Sequence, residues 1–332
     1  MKYVIPLILI LLLTGCFPKD KMVTPRNIEI VEIPYSIYEN QVWFNLSNKS
    51  IVSSNSYLDW DLGFESDGTG HHIILNSAKF MHAGNTQSTD FYGITSNVCD
   101  TMTFDSSDGD LNKTAIGDWA DFKDPSNPVF PGNVYIIDLG SDNSGNPFGL
   151  KKVVFESCTD TTYNIHYSNL DGTDEHEYKV SDLVGRKFSL FSFSDGGFTS
   201  PLQPEDKDWD ICFTQYSSIL FDNNGVATPY LVRGVFLNPA GTYAAADSVN
   251  SYYNTGFSDI GSYTLSGKQD AIGYDWKVYA NDTYSIRQEL FYIIKDQKGE
   301  YYKLKFTGYY NSTGARGYPS FQLDNLSGST NP

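Results

Sequence analysis

Apolar and polar residues alternate with a period of two over most of this chain. The clearest runs are Val42-Trp43-Phe44-Asn45-Leu46, Lys187-Phe188-Ser189-Leu190-Phe191-Ser192-Phe193 and Tyr301-Tyr302-Lys303-Leu304-Lys305-Phe306. Such alternation puts successive side chains on opposite faces of an extended backbone, so each run predicts a strand with one buried face. No stretch beyond the first residues keeps apolar spacing at three and four for long enough to predict a large helix. Tyr and Phe number 24 and 21, and 28 Gly with 14 Pro interrupt the runs at short intervals. Aromatic strands broken by frequent turns predict an all-β protein.

The pattern also repeats. Leu58-Asp59-Trp60-Asp61-Leu62-Gly63-Phe64 returns as Lys207-Asp208-Trp209-Asp210-Ile211-Cys212-Phe213, and Val134-Tyr135-Ile136-Ile137 returns near Phe291-Tyr292-Ile293-Ile294. Trp119 precedes Tyr135 by sixteen residues, and Trp276 precedes Tyr292 by the same number. A repeat of about 150 residues is the size of a small domain rather than a solenoid unit, and reads as a tandem duplication. The polar turn Asp171-Gly172-Thr173-Asp174 lies between the matched ends. The expected division is residues 27–173 and 174–326, with 327–332 as a polar tail.

The first sixteen residues stand apart. Lys2 precedes the apolar run Val4 to Leu13, which is about ten residues long and too short to span a bilayer. It closes on Leu13-Thr14-Gly15-Cys16, the pattern of a bacterial lipobox. Residues 1–15 therefore read as a signal peptide, Cys16 as the lipidated first residue of the mature chain, and 16–26 as a tether to the membrane. The expected location is the outer membrane, with the periplasmic and outer faces both open.

Charge and cysteine count narrow the partners. Forty Asp and Glu against 23 Lys and Arg give a net charge of −17, with no basic run to offset it. Nucleic acid is excluded as a natural partner. Cys99, Cys158 and Cys212 remain after Cys16, an odd number that permits at most one disulfide within a monomer. Cys158 and Cys212 sit in strand-like runs and read as small buried apolar residues.

The order of landmarks resembles the HmuY family of haem-binding lipoproteins of Bacteroidota. The resemblance rests on the lipobox, on the aromatic strands Trp43-Phe44-Asn45-Leu46 and Phe191-Ser192-Phe193, and on the Trp-Asp strands at Trp60 and Trp209. It also includes Gly117-Asp118-Trp119, Trp276-Lys277-Val278-Tyr279, and a long hairpin from Phe291 to Phe306 turning at Lys298-Gly299. It implies a pair of HmuY-like β domains in tandem, no enzymatic activity, and capture of haem for transfer to a TonB-dependent transporter. Family haem sites use two axial side chains, His or Met. One lies in the loop after the Gly-x-Trp strand, and the other lies upstream of it.

This chain departs from that pattern. Trp119-Ala120-Asp121-Phe122 is followed by Lys123, Asp124 and Pro125, and Tyr279 by Ala280, Asn281 and Asp282, none of them a usual axial ligand of haem iron. Between Thr214 and Asp275 there is neither His nor Met, so the second copy has no upstream donor either. The first copy holds the candidate donors His71, His72, Met81, His82 and Met102. Each has a structural reading as well. His71-His72 follows the turn Asp67-Gly68-Thr69-Gly70 and opens a strand, Met81-His82 ends one, and Met102 alternates with Phe104 as a core position. His166 matches Gln322 in the second copy and is expected on a solvated outer face.

Other chemistry is not supported. The acidic clusters Asp105 to Asp110 and Asp171 to Glu175 lack the spacing of a calcium loop and read as turns. No nucleophile elbow, zinc-protease motif or phosphate loop occurs. Trp60 and Trp209 are expected in the core, sharing a face with Leu62-Phe64 and Ile211-Phe213, with Asp61 and Asp210 turned away. The alternative to haem capture is a glycan- or protein-binding lipoprotein, in which exposed Tyr252, Tyr253 or Tyr309 would line a cleft.

Overall fold

The computed structural model describes residues 29–66, 70–222 and 224–327. The signal peptide, Cys16, the tether, the turn at Asp67-Gly68-Thr69 and the end of the tail lie outside the described residues. Half one carries β1 (Ile30–Glu32), β2 (Asn40–Asn45), β3 (Ser50–Ser56), β4 (Leu62–Glu65), β5 (Ile73–Leu75), β6 (His82–Asn85), β7 (Val134–Asp138), β8 (Leu150–Thr159) and β9 (Thr162–Asn169). Half two carries β10 (His176–Ser181), β11 (Phe188–Ser192), β12 (Phe198–Ser200), β13 (Ile211–Phe221), β14 (Ala227–Leu237) and β15 (Tyr243–Asp247). It continues with β16 (Lys277–Ala280), β17 (Thr283–Ile286), β18 (Phe291–Lys295), β19 (Tyr301–Tyr310) and β20 (Arg316–Asn325). Among the described residues the helical elements are 3-10 turns of three to six residues, so the protein is all-β.

The sheets come in matched pairs. The order β10-β9-β8-β7-β6 mirrors β1-β20-β19-β18-β15, and β12-β11-β4-β5 mirrors β3-β2-β13-β14. All pairings among the described residues are antiparallel, and the long hairpin of β18 and β19 closes through Asp296 and Glu300 with Gly299 in the left-handed region at φ 85°. The matched sheets do not keep to their own half of the sequence. β11 pairs with β4, placing Phe191 opposite Leu62, while β2 pairs with β13, placing Phe44 opposite Ile211. β1 pairs with β20 at the other end of the chain. The three opening strands of each half thus complete the other half's sheets, and the packing does not divide at residue 173.

The cores follow the exchange. One holds Leu62, Phe64, Trp119, Tyr163 and Ile165 with Val180, Phe191 and Phe193 from beyond the repeat boundary. The other holds Phe213, Trp276, Phe306 and Phe321 with Ile33, Ile37, Val42, Phe44 and Leu46 from the start of the chain. Burial of these aromatic and branched side chains is the dominant gain on folding, about 1.5–3 kcal/mol for each.

A buried aspartate anchors each exchange. Asp61 Oδ2 accepts from Phe193 N at 2.8 Å, and Asp210 Oδ2 accepts from Leu46 N at 2.8 Å. Beside each, a buried asparagine donates to the carbonyls preceding the strand: Asn76 to Tyr57 and Trp60, Asn238 to Asp206 and Trp209. The halves differ in one respect. Asp61 is paired with buried Lys79, three residues after Asn76, whereas Gly241 stands three residues after Asn238. Without that lysine, burial dominates and Asp296 adds repulsion, so the Asp210 carboxyl is pushed up to about 6.

A folded-state value above the unfolded one favours the neutral acid, so this contribution is full below pH 4 and is lost as pH rises through about 6. The rise from 3.8 to about 6 corresponds to about 3 kcal/mol. Asp210→Asn stays neutral and keeps an oxygen for Leu46 N–H. Its stability relative to wild type should climb by about 2–3 kcal/mol between pH 4 and 7 in denaturant titrations. A difference that does not vary with pH would contradict the assignment.

Two expectations from alternation need correcting. Trp60 and Trp209 are buried, but they do not pack with Leu62-Phe64 or Ile211-Phe213. Trp60 joins Phe188 and Leu190, and Trp209 joins Trp43 and Cys212. Each follows a 3-10 turn, and the chain bends at the next residue, Asp61 or Asp210, which shifts the alternation by one and buries the aspartate. His166 is also not on a solvated face. Its ring stacks on Phe91 at 3.9 Å and meets Glu175 at 2.7 Å, because the segment after β6 folds over that side of the sheet.

Candidate functional site

The five candidate donors fall in different places. Met81 is fully buried in the first core, His82 packs against the rings of Phe80 and Phe104, and Met102 lies against a separate cluster around Val134 and Ile136. His71 and His72 lie together on the wall of a cavity of about 460 Å³. That volume is in the ordinary range for small-molecule sites. The facing wall is the segment from Gly117 to Phe122, with Pro125 and Pro128, and the floor is the end of β8 at Cys158 and Thr159. The region after the Gly-x-Trp motif and the two adjacent histidines thus share one space.

The cavity is built by aromatic packing. Trp119 is buried, and its indole N–H donates to the His71 carbonyl at 2.7 Å, tying the loop to the strand before β5. The His71 ring stacks on Phe122 at 4.4 Å, and Trp119 stacks on Phe130 at 5.7 Å. Burial lowers the His71 pKa, so its imidazole is neutral at pH 7, the form that ligates metals. His72 is held differently: its Nδ1 lies 2.5 Å from Glu65 Oε2, a carboxylate that is itself buried and has Lys187 3.4 Å away. A carboxylate on one ring nitrogen orients the ring and directs its other nitrogen, Nε2, away from Glu65, the usual arrangement behind a histidine ligand.

Adjacent residues of an extended segment point to opposite sides, so His71 and His72 cannot stand trans to each other on one iron. The arrangement provides one nitrogen donor, a flat aromatic wall and a thiol at its floor. All three described cysteines are free, and burial raises the Cys158 thiol to about 12, so it is protonated at neutral pH. Among the described residues no cluster of three His, Cys, Asp or Glu side chains is placed to hold a metal ion by itself.

The same region of half two is closed by its own side chains. Counting back from the matched asparagines, Arg233 and Gly234 occupy the places of His71 and His72. A Cβ at Gly234 would lie 2.3 Å from the Gly273 carbonyl, so no imidazole fits there. Lys277 is buried against the rings of Trp276 and Tyr309, and donates to the Arg233 carbonyl. Burial and the Arg233 charge lower its pKa to about 7. Tyr252 and Tyr309 are buried and only Tyr253 is exposed, so the three do not line a cleft. Glu65 and Phe122 escaped notice in the sequence: one ends the Trp-Asp strand, and the other follows Trp119 by three residues.

Comparison with known proteins gives one family. The model described as HmuY protein matches residues 37–323 and runs once through both halves. No curated protein matches the chain. Among solved structures, apo PinO from Porphyromonas gingivitis is 11% identical over 91% of this chain and 98% of its own, with a TM-score of 0.28. An apo HmuY analogue from Tannerella forsythia is 10% identical over 90% and 98%, with a TM-score of 0.23. A candidate HmuY-like heme-binding protein from Bacteroides vulgatus ATCC 8482 is 10% identical over 91% and 94%, also with a TM-score of 0.23.

Proposed function

The chain belongs to the HmuY family, and we propose that it is a lipid-anchored, non-enzymatic protein that captures haem in the His71–His72 cavity. The observation that carries this reading is the convergence of two of the five candidate donors on one cavity, opposite the loop that follows Trp119. His72, oriented by Glu65, would supply the nitrogen donor to the iron, and the stacked rings of His71 and Phe122 would line the cavity beside it. Half two serves as scaffold, since its equivalent region is filled. Cys16 holds the protein on the outer membrane, and a TonB-dependent transporter receives the ligand.

Haemin titration tests this directly. A Soret band of a histidine-ligated species should appear with one haemin per chain. His72→Ala should weaken binding by about 10–100-fold and remove the histidine signature, as loss of a ligand or its support does. Met81→Leu and Met102→Leu should leave the spectrum unchanged. Absence of any Soret shift in the wild-type protein, or an unchanged spectrum in His72→Ala, would reject the assignment.

A further inference from the structure

A second cavity, of about 120 Å³, lies between the two four-stranded sheets, where the halves face each other. One wall is the cluster of Trp60, Phe188 and Leu190 beneath Ile74, and the other is the cluster of Trp43, Trp209 and Cys212 with Phe236. These clusters are separate, and the gap between them is the cavity. The halves are tied across it: Gln41 Oε1 accepts from Trp60 Nε1 at 2.7 Å, and Gln41 Nε2 donates to Thr214 at 3.4 Å. A roof from Asp105 to Leu111 is fixed to half two through Gln269 N to the Asp108 carbonyl at 2.9 Å and Ser107 Oγ to Asp270 at 2.6 Å.

Within this wall one polar group is left over. Trp209 is 3% exposed, and its indole N–H has no acceptor among the described residues. Buried donors are nearly always paired, and an unpaired one marks a place where something else supplies the acceptor. Asp105, at the margin, is already committed to Leu75 N and Ala115 N.

We propose that this cavity is a second binding site, for a neutral molecule of one aromatic ring carrying an oxygen that accepts the Trp209 N–H. The volume sets the size, since an apolar cavity of about 150 Å³ takes benzene, and a porphyrin is far too large. Three indoles and a phenylalanine from each side supply the stacking faces. Asp105, Asp110 and Lys187 lie among the lining residues, of both signs, while the two facing walls are apolar, which suits a neutral ligand better than an ion. Both halves contribute walls, and such a ligand binds where the exchanged sheets meet.

Phenol is the probe, and the indole N–H resonances of the ¹⁵N-labelled full chain are the readout. Saturating phenol should shift the Trp209 resonance with one site per chain, and leave the equally buried Trp276 unmoved. Trp209→Phe should weaken binding about tenfold, as loss of one hydrogen bond does. Cys212→Phe, or Ile74→Phe where the first does not fold, should fill the space and abolish binding. His72→Ala should leave phenol binding intact, which separates this site from the proposed haem cavity. A Trp209 resonance that does not move, or binding that survives a filling substitution in a folded chain, overturns the proposal.

Discussion

A fragment of residues 174–326 should remain unfolded on its own, although it is one complete copy of the sequence repeat. It lacks β1 to β3, and with them Ile33, Ile37, Val42, Phe44 and Leu46, which supply part of the second core. It also carries β10 to β12, whose buried Val180, Phe191 and Phe193 belong to the other core. Exposing Phe44's partners Phe213 and Phe321, 6.3 and 5.5 Å from it, forfeits several aromatic burials at once. At about 1.5–3 kcal/mol for each of the five missing side chains, the loss is about 8–15 kcal/mol, as large as the whole stability of a typical domain at about 5–15 kcal/mol.

The exchange also predicts which rearranged chain folds. β1 runs antiparallel to β20 with Ile30 opposite Gln322, the same relation that β10 has to β9. Residues 205–326 joined by a short linker to 29–56 should therefore give a cooperative β domain, with β1 added as the natural hairpin of β9 and β10 is. Circular dichroism and amide dispersion of the two fragments decide the matter. Cooperative unfolding by 174–326 alone would show that the cores are not shared as described.

Asp61→Ala should cost about 3–5 kcal/mol, the largest loss expected from any single substitution considered for this chain. Asp61 and Lys79 are both buried, and the carboxylate also accepts from Ser192 Oγ at 3.2 Å and Phe193 N at 2.8 Å. Removing it leaves an ammonium without its counter-ion and a buried N–H without its acceptor, at the point where the second half's strand enters the first half's core. Asp61→Ala with Lys79→Met should recover much of the loss, because the unpaired charge is then gone. Equilibrium unfolding of the single and double variants measures both numbers. A loss below about 1 kcal/mol in the single variant would mean that the pair does not hold the exchange.

Alternation, aromatic strands and frequent turns were enough to read the protein as all-β and as internally repeated, because both properties are local or compare one segment with another. Family membership was legible for the same reason: Trp60-Asp61, Gly117-Asp118-Trp119 and the Phe291 to Phe306 hairpin are short motifs in order. The candidate donors were legible as residue types only. What brought His71 and His72 to Phe122, and sent Met81 into the core, is strand pairing and the Trp119 hydrogen bond to the His71 carbonyl. The bends at Asp61 and Asp210 broke a periodicity that assumes a regular strand, so the tryptophans changed faces. Which half a strand completes is invisible to any local pattern, since β2 and β11 carry the same kind of apolar face. That choice belongs to the tertiary structure, where long-range pairing and the buried carboxylates Asp61 and Asp210 decide it.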